Sequence, residues 1–197
     1  MIRMKWQGPV LPRSLMTVVC VAVCFAGVFC LAAGAIIPAK AVVAQILLDR
    51  AFERSIAAHA PQKPWPWADI APVARVSVRR LHVNRIVLDT GSGEAMAFGP
   101  TLLPGGARIG APGIAVLAAH RDTHFRFLEQ VHAGDVIDVE ALDGALRHYR
   151  VTGAAVVRWD RFAVADTPFS QLALSTCYPF GAVERGPLRY IVYADEA

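Results

Sequence analysis

Three side chains that could together catalyse acyl transfer stand far apart along this chain of 197 residues. They are the thiol of Cys177, the imidazole of His120 and the guanidinium of Arg189. A thiol that attacks an amide needs a proton donor for the departing amine and a positive group for the oxyanion, because both charges develop only in the transition state. The three residue types therefore predict cysteine-dependent chemistry at an amide carbonyl.

The local sequence predicts that each of these residues lies at the end of a strand. Cys177 ends an alternating segment, LALSTC, and is followed by a Tyr-Pro turn. His120 closes an apolar run and opens a polar cluster. Arg189 begins another alternating segment after a Gly-Pro pair, twelve positions beyond Cys177. We expect the three side chains to meet at one mouth of a barrel.

Short runs rich in Val and Ile, separated by turn residues, follow position 72. Eight such runs at this spacing predict a closed or nearly closed all-β barrel. They begin at Val73, Arg85, Gly113, Asp135, Leu146, Ala154, Leu172 and Leu188. One short helix is predicted from His124 to Val131, and the region has too few long helices for an alternating β/α fold.

The N-terminal region predicts a membrane anchor. The segment from Ser14 to Ala39 contains 26 residues without a charge, about 39 Å of helix against a hydrocarbon core of about 30 Å. Arg3, Lys5 and Arg13 precede it and Lys40 alone follows closely, which places the N-terminus in the cytoplasm. A cleaved signal peptide is the alternative, although this run exceeds its usual apolar length of about 7–15 residues.

Charge distribution argues against nucleic-acid binding. The chain has 20 basic and 16 acidic residues, and four of the basic residues lie in the first 40 positions, where no acid occurs. The remainder is therefore neutral, and a neutral body lacks the positive field that binds many phosphates.

The same patterns predict the domain organisation. The predicted segments are a basic cytoplasmic tail (1–13), a transmembrane anchor (14–39), a juxtamembrane helix (40–60), a Pro/Trp linker (61–72) and a catalytic barrel (73–197).

Three motifs occur in a fixed order: LAAHRDT at 117–123, LSTCYPF at 174–180 and LRYIV at 188–192. Together they resemble the sortase family, and most closely its Gram-negative, proteobacterial class. Ala119 and Ala173 depart from the commoner Gly and Thr of the family, which could alter substrate preference.

The resemblance implies an eight-stranded sortase-type β-barrel with short helices, preceded by a transmembrane helix. It implies that Cys177 is the nucleophile, His120 the general acid and Arg189 the stabiliser of the oxyanion or the substrate carbonyl. Thr176 matches the usual threonine before the cysteine and is expected to contribute to substrate binding.

Neighbouring residues offer competing assignments. Arg185 is nearer to the cysteine than Arg189 is, but it lies in a predicted loop and lacks the alternating strand that follows Arg189. His124 follows His120 at the spacing of H-E-x-x-H zinc ligands, but Arg121 stands where that motif has Glu. We therefore prefer Arg189 and predict neither a metal nor another cofactor.

The function implied by the resemblance is that of a membrane-anchored cysteine transpeptidase. It would cleave an LPxTG-like motif near the C-terminus of an exported protein and transfer the product to an amine, whose identity the sequence does not specify. The catalytic domain would lie in the periplasm, anchored in the bacterial inner membrane. A periplasmic cysteine hydrolase and a non-catalytic anchored binding module are the alternatives.

Overall fold

The computed structural model describes residues 12–162, 164, 166–184 and 186–197, without the side chains of Arg13 and Ile37. The chain divides into two compact units, residues 1–43 and residues 44–197. Most of the predicted basic tail and the competing Arg185 lie outside the described residues.

The first helix, α1, runs from Arg13 to Ala58 and contains Pro38. The segments predicted as anchor and juxtamembrane helix thus form one continuous helix. In the first unit its apolar side chains are exposed, and the helix is long and apolar enough to cross a membrane.

In the second unit, the last turns of α1 pack against the residues that follow. Leu48 and Phe52 are fully buried, in a cluster that includes Leu88. The Arg75 guanidinium lies 4.6 Å from the centre of the Phe52 ring and donates a 2.8 Å hydrogen bond to Glu53. Apolar burial and a cation–π contact therefore fix this end of the helix.

Truncating Phe52 is expected to destabilise the second unit. Phe52→Ala removes a fully buried ring and its contact with Arg75, so we expect a loss of about 3–5 kcal/mol in the free energy of unfolding. Urea unfolding of the full chain in detergent, followed by tryptophan fluorescence, measures this loss. Arg50→Ala, at an exposed position of the same helix, should change the stability by less than about 0.5 kcal/mol. Equal effects of the two variants would contradict the packing.

The segment 61–71 contains neither helix nor strand. Trp65, Ala68 and Ile70 pack into the same cluster as Phe52, whereas Trp67 is 80% exposed. One of the two tryptophans of the predicted linker therefore stabilises the fold, and the other faces outward.

Eight strands form a closed barrel in the order β1-β2-β3-β4-β7-β8-β6-β5, which confirms the predicted fold class. Their bounds are Pro72–Val78 (β1), Val83–Leu88 (β2), Thr101–Leu102 (β3), Gly113–Ala118 (β4), Val136–Ala141 (β5), Leu146–Arg158 (β6), Ser170–Cys177 (β7) and Leu188–Glu196 (β8). The pairs β2–β3 and β4–β7 are parallel, and the others are antiparallel.

Individual strands differ from the prediction in two places. The runs predicted to start at Leu146 and Ala154 form the single strand β6, whose pairing with β8 shifts between Val151 and Gly153. Such a bulge bends a strand without ending it. The two-residue β3 was missed, because two residues are too few to show an alternating pattern. The predicted short helix is a 3-10 turn, Arg126–Gln130.

The barrel interior is filled by alternate residues of the strands. Leu172 and Leu174 of β7 point inward, together with Val192 of β8. The loop after β4 inserts Phe125 and Leu128 into the same core. Alternation therefore places Thr176 on the inner face and directs Ala173, Ser175 and Cys177 to the outer face.

Candidate active site

Cys177 is the last residue of β7 and lies directly opposite Arg189 of β8 in an antiparallel register. Directly opposite residues share one face of a sheet, with Cβ atoms about 4.5–5.5 Å apart. The register therefore sets the thiol and the guanidinium side by side on the outer face of the barrel.

His120 follows β4, the other neighbour of β7. Ala118 pairs with Ser175 in the parallel β4–β7 ladder, and the Ala119 amide donates a 3.3 Å hydrogen bond to the Ser175 carbonyl. Continuing this register by two residues aligns His120 with Cys177. The three predicted catalytic positions thus lie on three adjacent strand ends, 120, 177 and 189, at one end of the barrel.

The exposure of these side chains suits a reaction with an external substrate. His120 is exposed, and Cys177 and Arg189 are partly exposed. Within the residues that the structure describes, the Cys177 thiol makes no hydrogen bond. Arg189 donates from one guanidinium nitrogen to the carbonyls of Gly186 and Leu188, at 3.0 and 2.8 Å. Among the described residues, its other two nitrogens have no hydrogen-bond partner, so they are available for a ligand.

Thr176 lies on the opposite face of β7 from Cys177. It is 2% exposed, and its hydroxyl donates a 2.8 Å hydrogen bond to the Ala119 carbonyl. The threonine side chain therefore connects the strand of the cysteine to the residue before His120. Its role in substrate binding remains a prediction.

Arg121 is a residue of this region to which the sequence analysis gave no role. It is 6% exposed, and one guanidinium nitrogen donates to the carbonyls of Ala182 and Glu184, the latter at 2.9 Å. Its ion pair with the exposed Asp122 is 3.5 Å long. The available signal was its place directly after the histidine in LAAHRDT, but the residues that it contacts are 61 and 63 positions away.

His124 is coupled electrostatically to His120. Burial lowers the pKa of His124, the hydrogen bond to the Ala97 carbonyl opposes that shift, and smaller electrostatic contributions from Arg85 and His120 add to the lowering. Its Nε2 atom lies 3.3 Å from that carbonyl. In the described part of the chain, no group of three or more His, Cys, Asp or Glu residues could hold a metal ion. Two histidines at helical spacing do not by themselves make a zinc site.

The loop between β7 and β8 begins with an aromatic cluster. The Tyr178 ring stacks on Tyr190 at 6.2 Å, and Phe180 contacts Tyr190 edge to face at 5.3 Å. The Tyr178 amide donates a 3.1 Å hydrogen bond to the Leu188 carbonyl, and the Tyr178-Pro179 peptide bond is cis. These contacts hold the first residues of the loop against the strand that carries Arg189.

Apolar residues continue the outer face away from Cys177. Ala173 and Ile191 are buried there beside Val116 of β4, and Phe162 and Tyr193 pack on them. The outer face of the barrel is therefore polar at the end that carries the thiol and apolar and buried further along the strands.

The fold and the site define a class of protein: a closed eight-stranded β-barrel that carries a cysteine, a histidine and an arginine on adjacent strand ends. Residues 76–197 match the family model described as the Sortase domain. The chain belongs to the sortase family, as the motifs predicted. Its assignment to the proteobacterial class remains a prediction.

A relative identified by sequence similarity is also a sortase. The chain is 34% identical over 83 residues to Sortase D of Bacillus subtilis (strain 168), and this match covers 41% of each chain. It therefore spans less than half the length of that relative.

Solved sortase structures share the fold. Sortase C-1 from Actinomyces oris is 26% identical, with a TM-score of 0.56 over 64% of this chain and 74% of that one. Sortase A from Corynebacterium diphtheriae is 22% identical, with a TM-score of 0.59 over 66% of this chain and 63% of that one. A Clostridium perfringens Sortase D5 transpeptidase is 17% identical, with a TM-score of 0.62 over 79% of this chain and 99% of that one.

Proposed function

We propose that this protein is a membrane-anchored cysteine transpeptidase that acts on exported proteins bearing a C-terminal, LPxTG-like sorting signal. Membership of the sortase family supports the reaction class. The observation that carries the assignment of residues is the strand register, with Cys177 opposite Arg189 and in line with His120.

In the proposed reaction, the Cys177 sulfur attacks the carbonyl carbon of the scissile peptide bond. A tetrahedral oxyanion forms and collapses, the C–N bond breaks, and His120 donates a proton to the departing amine. The acyl group remains on sulfur as a thioester. A second amine attacks that carbonyl, returns a proton to His120 and releases the thiolate, so the product carries a new amide bond.

Arg189 would stabilise the oxyanion. Its guanidinium is directed by two hydrogen bonds, both from the same nitrogen, to the carbonyls of Gly186 in the preceding loop and of Leu188 at the start of β8. The remaining N–H groups could then donate to the negative oxygen in the tetrahedral state. A donor that is held in place before the reaction requires little reorganisation when the charge develops.

Helix α1 would act as the anchor. Its N-terminal part is apolar and exposed from Ser14 onward, and the basic residues Arg3, Lys5 and Arg13 precede this apolar segment in the sequence. The positive-inside rule then places the N-terminus in the cytoplasm and the barrel in the periplasm, on the inner membrane. In that location the enzyme would meet exported proteins while both are held at the membrane.

Incubation of the full chain with a sorting peptide tests this function. We use a labelled LPxTG peptide in detergent, with and without a primary amine such as triglycine, and identify the products by mass spectrometry. We expect the amine to be incorporated after the Thr residue, because the thioester remains exposed to an external nucleophile. The Cys177 peptide should carry the acyl group when the amine is omitted.

The other outcomes favour the alternatives. Cleavage without incorporation at any amine concentration would indicate a cysteine hydrolase. Binding of the peptide without cleavage or acylation would favour a binding module.

A further inference from the structure

Arg121 is a buried cation that lies immediately after His120. A charge removed from water is costly unless hydrogen bonds and counter-charges compensate it. Among the described residues, the carboxylate partner of Arg121 is Asp122, which is 3.5 Å away and 67% exposed and therefore compensates the charge weakly. The main partners of Arg121 are instead the backbone carbonyls of Ala182 and Glu184.

Those two carbonyls lie in the middle of the segment 178–187, which we call the β7–β8 loop. This loop joins Cys177 directly to the strand that begins beside Arg189. Its first residues are held by the aromatic contacts of Tyr178 and Phe180 with Tyr190. Near its end, the Gly186 carbonyl accepts a hydrogen bond from the Arg189 guanidinium, and so does the carbonyl of Leu188, the first residue of β8. The direction of Arg189 therefore depends on the conformation of this loop.

The residues on either side of His120 both make hydrogen bonds to the chain around Cys177, one to the residue before it and one to the loop that follows it. Before the histidine, the Ala119 carbonyl accepts the hydroxyl of Thr176. After it, the Arg121 guanidinium donates to Ala182 and Glu184. The first contact supplements a ladder that β4 and β7 already form, whereas the second joins two segments that share no strand pairing.

We propose that Arg121 is a positioning residue that holds the β7–β8 loop against the segment carrying His120. In this way it fixes His120 and Arg189 relative to the thiol of Cys177. The inference rests on the proposed function for its effect on catalysis, whereas its effect on the loop follows from the contacts alone.

Arginine is suited to this role because its planar guanidinium presents several donors in a rigid fork, so one group can bind two carbonyls. Lysine carries the same charge on a compact ammonium and can restore part of the contact. Methionine has a similar length and removes both the donors and the buried charge. Because Arg121 does not belong to the hydrophobic cluster that fills the barrel, we expect both variants to fold.

The experiment compares Arg121→Met and Arg121→Lys with the control Arg126→Met, at an exposed arginine five residues further along. We measure kcat and KM for peptide cleavage and the melting temperature of the full chain. We also measure amide hydrogen exchange in residues 180–187 and the alkylation rate of Cys177, resolved by peptide mass spectrometry.

For Arg121→Met we expect kcat to fall about 10- to 100-fold, because a small misplacement of reacting groups has effects of this size. KM should change less than about 3-fold, and exchange in the loop should rise about 10-fold or more while that of β4 and β7 stays constant. Arg121→Lys should recover part of the lost kcat and part of the protection of the loop from exchange. Arg126→Met should match the wild type.

Wild-type exchange in the loop of Arg121→Met would overturn the proposal, and so would an unchanged kcat. A loss of activity that follows a fall in melting temperature, with no rescue by lysine, would indicate a merely structural role and would also overturn it. If the methionine variant does not fold, the lysine variant decides by the same readouts. If the wild type cleaves no sorting peptide, the proposed function fails, while the exchange and alkylation data still decide whether Arg121 holds the loop.

Discussion

Replacing Cys177 with alanine is expected to abolish peptide cleavage, with a loss of at least about 10⁴-fold. Without the sulfur no thioester can form, and the remaining His120 and Arg189 can assist only direct attack by water. Cleavage of the labelled sorting peptide measures the loss. Mass spectrometry of the enzyme provides a second readout, because the wild-type Cys177 peptide should carry the acyl group and the variant should carry none.

The chain supplies its own matched control. Its other cysteines, Cys20, Cys24 and Cys30, lie in the apolar part of α1. A variant with serine at these three positions should retain full activity and acylation. Unimpaired processing by Cys177→Ala would refute the covalent mechanism and favour a binding module or a different nucleophile.

Replacing His120 with glutamine is expected to lower the rate of amide cleavage by about 10²- to 10⁴-fold, the usual contribution of a positioned general acid. The amine leaves only with a proton, and glutamine cannot supply one. An ester substrate with a phenol leaving group should lose much less, because a phenolate can depart without a proton. The measurement is kcat/KM for matched amide and ester substrates with the same acyl part.

His124→Gln is the control for this prediction, since His124 is the nearest histidine in sequence and is coupled electrostatically to His120. It contacts Ala97, and its substitution should change kcat/KM by no more than a few fold for either substrate. An equal loss for amide and ester in His120→Gln would show that the histidine is not the proton donor for the leaving group. A large loss in His124→Gln would show that the proton transfer does not depend on His120 alone and would contradict its assignment as the proton donor.

Most of the strands were predictable because alternation and turn residues are local signals, whereas the count of eight agrees only because the fusion into β6 and the missed β3 offset each other. The positions of β4, β7 and β8 are close to those of the runs from which they were predicted. The fusion of two predicted runs into β6 was not predictable, because Gly153 reads as a strand breaker, whereas pairing with β8 continues past it with a shifted register. The pairing that maintains the strand comes from a segment about 40 residues away.

The orientation of the side chains of β7 was likewise predictable only in part. Alternation by itself indicates that Thr176 and Cys177 point to opposite faces. The closed barrel decides that Thr176 is the inner one, because Leu172 and Leu174, on its face, form the core with Val192. The side chain of the predicted substrate contact thus proves to be buried against Ala119.

The amino-acid sequence by itself determined the family, the all-β class and the residue types that could carry acyl transfer, because motifs and hydrophobic alternation are properties of neighbouring residues. Only the tertiary structure decided the register that sets Cys177 opposite Arg189 and the contacts of Arg121 with the β7–β8 loop. These contacts join residues distant in sequence, and they exist because the barrel closes and brings the ends of β4, β7 and β8 together.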